Sequence, residues 1–185
     1  MRRDRFYRVS PRGAGLDDLS HEAESPSSSI TPDRVEKIVR DVAGHLVPAS
    51  ARIDVDRFSS PDITSIWLMP IRKTAATLTL GVDDSGFRVY LLLGRAIRLE
   101  IDRKGSTITK APADDEIRMV CRAIVKGQFK EQLWLRNSEI RRALGILTLD
   151  NGSEIKLGYG NAAALLLPFG ERTTVEYVYT PYDAP

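Results

Sequence analysis

Polar and apolar positions fall into three regimes along the chain. In residues 1–30 the apolar side chains are sparse and follow no period. Such a segment cannot bury enough surface to offset the entropy of ordering it, which predicts a disordered N-terminal arm. From Thr31 the pattern becomes helical. Thr31-Pro32-Asp33 supplies a capping hydroxyl, a proline suited to the first helical position and a carboxylate at the positive end of the helix dipole. Val35, Ile38, Val39, Val42 and Leu46 then recur on one face until Pro48 forbids continuation.

Strand signals follow at 52–57, 63–69, 75–82, 87–93 and 97–102. The last alternates Ile97, Leu99 and Ile101 with Arg98, Glu100 and Asp102, the period of a strand with one buried face. Asp83-Asp84-Ser85-Gly86 reads as a hairpin loop, and Gly94-Arg95 opens a tight connection. A second amphipathic helix starts near Ala113, with Asp114, Asp115 and Glu116 in its first turn. Its stripe is Ile117, Val120, Cys121, Ile124 and Val125, and Gly127 ends it. Strands are predicted again at 129–135, 143–149, 153–159, 163–169 and 173–179. Asp150-Asn151-Gly152 gives the strongest turn signal, one suited to the paired positive φ angles of a type I′ hairpin.

Helix then strands, twice over, suggests an internal duplication. Val35-x-x-Ile38-Val39-Arg40-x-Val42 lines up with Ile117-x-x-Val120-Cys121-Arg122-x-Ile124, and Leu80-Gly81-Val82 with Leu157-Gly158-Tyr159. Leu91-Leu92-Leu93-Gly94-Arg95 resembles Leu165-Leu166-Leu167 with Gly170-Glu171-Arg172 beyond it. The offset is about 80 residues. The expected fold is α+β: two helix-plus-antiparallel-meander halves, 31–104 and 105–185, related by a pseudo-two-fold axis and packed as one unit. Each half is too small to bury a stable core alone. Shared core periodicity also produces matches of this kind without common descent.

Composition narrows the function classes. A net charge of +2 is too small to select nucleic acid or a membrane by electrostatics. The lone cysteine, Cys121, excludes an intrachain disulfide and lies on an apolar stripe, where it serves as a small hydrophobe. No apolar run is long enough to span a membrane, and no h-region follows Met1-Arg2-Arg3-Asp4-Arg5, so a cytoplasmic protein without a signal peptide is expected. Neither His21 nor His45 lies in a metal-ligand spacing, and Gly158-Tyr159-Gly160-Asn161 fails the glycine-rich phosphate pattern. No cofactor or metal is expected. Asp54 and Asp56 share one face of a strand and supply the only paired carboxylates with an enzymatic reading, that of an unrecognised hydrolase or transferase.

A non-catalytic protein-binding module remains as the primary expectation: an adaptor, a chaperone-like factor or an immunity-type protein. Its candidate partner-binding residues are Tyr177, Tyr179 and Tyr182 near the C-terminus, because tyrosine is large, stiff and amphipathic. Arg136, Arg141 and Arg142 add a basic patch. The alternative partner is nucleic acid, engaged by that patch and by Arg2, Arg3, Arg5, Arg8 and Arg12 of the arm. A homodimer is left open.

Overall fold

The computed structural model describes residues 29–58, 60, 62–102, 112–160 and 172–183. Helix α1 (Pro32–Ala43) begins as its sequence dictates: the Thr31 hydroxyl accepts the Arg34 N–H at 3.3 Å, and a 3-10 turn, Gly44–Leu46, continues its end. Ile30, assigned to the arm on composition, belongs instead to the core. It is buried, its N–H donates to the Gly86 carbonyl at 3.1 Å, and with Val35 it occupies the two positions that staple a helix start. Residues 1–28, the rest of the predicted arm, lie outside the described residues.

Five strands follow as an antiparallel meander in chain order: β1 (Ala51–Asp56), β2 (Ile63–Pro70), β3 (Leu78–Asp83), β4 (Arg88–Leu93) and β5 (Ile97–Asp102). Period-2 alternation sends Ile66, Leu68, Leu78, Leu80, Val89, Leu91 and Ile101 to one buried face. Helix α1 lies against β1, β2 and β3. Burying a side chain of this size contributes about 1.5–3 kcal/mol, which is why the helix and sheet need each other. Helix α2 (Ala113–Val125) buries its predicted stripe and ends at Gly127, with Gly127 N–H bonded to the Ile124 carbonyl and Gln128 N–H to that of Ala123.

The second sheet is built from β6 (Phe129–Arg136), β7 (Glu139–Thr148), β8 (Glu154–Gly160) and β9 (Arg172–Val178), in the order β8-β7-β6-β9. It departs from a simple meander, since β9 returns to flank β6. The predicted strand 163–169 lies outside the described residues. Two turns also differ from expectation. At Asp150-Asn151-Gly152 only Gly152 has positive φ (78°), and Gly152 N–H bonds the Leu149 carbonyl, so this is not the two-residue type I′ turn. The paired positive φ angles occur at Asn137 (51°) and Ser138 (65°), between Arg136 and Glu139, which face each other. That turn carries β6 and β7 past the bounds 129–135 and 143–149 expected from sequence and takes in the arginines of the basic patch.

The helices run parallel. Arg34 binds Asp114 at both N-terminal ends (Nε–Oδ2 and Nη2–Oδ2, each 2.6 Å), and Arg118 approaches Asp41 at 3.8 Å further along. Strand β5 packs on β7 and β8 so closely that a Cβ added to Gly145 would lie 2.7 Å from Ile97 Cγ1.

A buried carboxylate joins the two sheets. Glu131 of β6 is 0% exposed and points at the β4–β5 turn. Its oxygens accept the backbone N–H groups of Ala96 (2.7 Å) and Arg95 (3.1 Å) and the Tyr179 hydroxyl (2.9 Å). Gly94 fits here for two reasons: its φ is +60°, and a Cβ would sit 2.8 Å from the Tyr179 hydroxyl and 3.0 Å from Glu131 Oε2. Beside the carboxylate, Phe129 stacks on Tyr179 (5.3 Å between centroids), Tyr179 on Tyr177 (6.3 Å), and the Arg95 guanidinium covers Tyr177 (4.4 Å). The chain end closes the junction. Thr180 N–H donates to the Thr74 carbonyl, Tyr182 N–H to that of Val125, and the Tyr182 hydroxyl to that of Ala76 at 2.5 Å.

Two predictions follow from this packing. Glu131→Ala strips three donors of their acceptor, two of them in buried bonds, and is expected to cost on the order of 3 kcal/mol in urea unfolding. Glu131→Gln, which keeps one carbonyl oxygen, is expected to cost clearly less, and equal losses would argue against the hydrogen-bonded junction. Alkaline pH gives the second. Burial raises the Cys121 thiol from 9.0 to about 12. It also raises Tyr182, and raises Tyr179, where the bond to Glu131 adds to it. Because the folded chain then retains protons that the unfolded chain releases, stability is full below about pH 8.5 and falls as pH rises. Cys121 alone contributes a slope of up to about 1.4 kcal/mol per pH unit above that point. Unfolding free energies from pH 8 to 11 are expected to fall less steeply for Cys121→Ala than for the parent.

Candidate interaction surface

The second sheet turns its inner face to the junction and its outer face away from it. On β6 the inner positions are Phe129, Glu131 and Leu133, so Lys130, Gln132 and Trp134 point outward. On β7, register places Ile146 opposite Lys130, Leu144 opposite Gln132 and Arg142 opposite Trp134. On β8, Lys156 pairs with Ile146, and on β9, Val178 lies beside Lys130. The outer face thus carries an apolar strip of half-buried Trp134, Leu144 and Ile146. Val178, 71% exposed, extends it. Exposed Lys130, Lys156 and Arg142 border the strip, with Glu154 and Glu176 as its acidic members. Arg142 lies over the Trp134 ring at 4.8 Å, a contact worth about 0.5–1 kcal/mol at an exposed site.

The residues singled out from sequence divide between this face and the interior. Arg142 belongs to the outer face. Arg136 ends β6, across the two-residue turn from Glu139, and Arg141 sits at the irregularity between Trp134 and Leu135 and pairs with Glu139. These three arginines cluster at one hairpin tip. The tyrosines do not join them. Tyr182 and Tyr179 are buried with their hydroxyls bonded within the chain, and Tyr177 is half-buried beneath Arg95. Their burial follows from β9 returning to β6, which lays Tyr177 opposite Glu131.

The other candidates are occupied locally. Asp54 receives Arg52 at 2.6 and 2.8 Å, and Asp56 accepts the Phe58 N–H at 2.9 Å, so the shared carboxylate face of β1 serves strand and turn geometry. Asp114 holds Arg34 of α1, and Cys121 is buried. His45 borders a shallow cleft of about 350 Å³ where the two helix ends meet, among Asp41, Arg122, Lys126 and Asp183. Lys126 there is bonded to Asp150 at 2.5 Å. Among the described residues no group of three or more His, Cys, Asp or Glu side chains could hold a metal ion, and no helix is long and apolar enough to cross a membrane.

Sequence reasoning missed Trp134, Leu144 and Ile146 as a half-buried set on the outer face. The available signal was apolar residues at consecutive positions of both strands, Leu133-Trp134-Leu135 and Leu144 to Leu147, which supply both faces of the sheet. The turn at Asn137-Ser138 was needed to align them. No family model, no curated protein and no solved structure matches this chain.

Proposed function

We propose that this chain is a non-catalytic protein-binding module whose outer face on the second sheet docks an acidic, partly apolar protein segment. The observation that carries the reading is the apolar strip Trp134–Leu144–Ile146 bordered by Lys130, Lys156 and Arg142. Aromatic and arginine side chains at the centre of a surface patch are the usual anchors of a protein interface, and lysines at its rim steer an acidic partner. An adaptor, chaperone-like or immunity-type role is compatible with such a face.

We also infer that the halves 31–104 and 105–185 arose by duplication. Matched helix positions share their burial: Val35 with Ile117, Ile38 with Val120, Val39 with Cys121, Val42 with Ile124. The first three strands of each half pair in the same order, Leu80 and Leu157 both face inward, and the helices run parallel, as a pseudo-two-fold along their axes requires. The difference is β9, which flanks β6, whereas β1, its counterpart, has β2 as its one partner in the first sheet.

The docking reading is tested with acidic peptides that interleave leucine or phenylalanine, against basic peptides of matched hydropathy. Binding to the acidic set is expected to change Trp134 emission in a Trp67→Phe background and to weaken steeply with salt. Lys130→Glu/Lys156→Glu is expected to weaken it at least tenfold. Equal binding of both peptide sets, binding untouched by the double charge reversal, or tighter binding of a single-stranded oligonucleotide would overturn it.

A further inference from the structure

Strand β1 ends the order of the first sheet, and among the described residues its outer edge carries no strand. The Ile71 N–H donates to the Ser50 carbonyl at 3.0 Å, which fixes which backbone groups face β2. Because N–H and C=O alternate sides along a strand, Arg52, Asp54 and Asp56 turn theirs toward β2, and Ala51, Ile53 and Val55 turn theirs to the open edge. Side chains alternate too. Arg52 and Asp54 stand on the outer face opposite Met69 and Trp67, and Ile53 and Val55 stand on the inner face opposite Leu68 and Ile66. Leu68 and Ile66 are wholly buried, but Ile53 and Val55 are only half-covered.

Open backbone groups beside half-covered apolar residues form a pairing edge, and natural proteins often guard such edges with charged side chains. Here the charges alternate. Arg52 and Asp54 lie one on each side of Ile53 along the strand. That order is self-complementary: laid antiparallel with Ile53 against Ile53, the Arg52–Asp54 pair that each strand forms within itself meets its inverted copy, so each arginine lies across from the other copy's aspartate as well as beside its own. The inner face then sets Val55 against Ala51 and covers both isoleucines. Arg52 and Asp54 occupy the non-hydrogen-bonded positions of that pairing, where opposing side chains approach most closely.

We infer that two copies of this chain join β1 to β1 about a two-fold axis in this register, fusing their first sheets into one continuous sheet. A two-fold contact of this kind is closed, so it ends at the dimer and does not propagate into a fibre. The inference does not depend on the docking face, which belongs to the other sheet.

Sedimentation equilibrium of the full chain tests it. The expected mass is twice 20.6 kDa. Arg52→Asp and Asp54→Arg, each placing like charges across the axis, are expected to sediment as monomers. An equimolar mixture of the two is expected to regain the double mass, because each variant's strand then opposes its complement. Ile53→Pro, which removes an edge N–H while leaving the ladder to β2, is expected to dissociate the dimer with unchanged circular dichroism. A parent chain of 20.6 kDa at its highest soluble concentration would overturn the inference, as would a dimer that survives Ile53→Pro and both charge reversals. A monomer that dimerises only when residues 1–28 are removed would assign the edge to the arm and overturn it equally.

Discussion

The structure depends on one buried carboxylate. Glu131 reaches from β6 to the turn between β4 and β5 and ties the backbone of one sheet to a side chain of the other. A carboxylate removed from water is tolerable only when its oxygens are satisfied, and here two peptide N–H groups and a phenol satisfy them. That requirement fixes its surroundings. Gly94 keeps the turn close, Tyr179 must approach along β9, and β9 must therefore lie beside β6. The order of the second sheet and the junction chemistry are two aspects of one constraint.

Two regions inherit their roles from it. The parallel helices pack on one another, α1 on β1 to β3 and α2 on β5 and β7, and are held at their N-terminal ends by Arg34 and Asp114. The outer faces stay open, and there the charge and apolar pattern is free of the needs of folding. On the second sheet that freedom is spent on Trp134, Leu144 and Ile146 amid lysines and arginine. On β1 it is spent on alternating charges along an edge. The proposals for docking and for self-association rest on these two places.

Local signals were read correctly where one element decides its own geometry. The Thr31 cap, the helical stripes and the alternation of β5 all stand as read. Where two elements share the decision, reading failed. Ile30 looked like part of a polar arm because its packing partners at the β3–β4 turn lie more than fifty residues away. Asn151-Gly152 looked like the tightest turn, yet its loop adopts a single positive φ and Asn137-Ser138 takes the paired one. Tyr177, Tyr179 and Tyr182 together looked like partner-binding residues; Tyr179 and Tyr182 are buried, and Tyr177 is half-covered beside Tyr179 and Arg95.

The sequence by itself determined the class of the fold, the two helices, most strands and the burial of Cys121, because periodicity and capping act over a few residues and leave their mark in the chain. Only the tertiary structure decided which strand flanks β6, which aromatic groups are buried, and which apolar residues remain on a surface. Those outcomes depend on pairing energies between segments far apart, and a strand's alternation says which residues share a face without saying which face meets water.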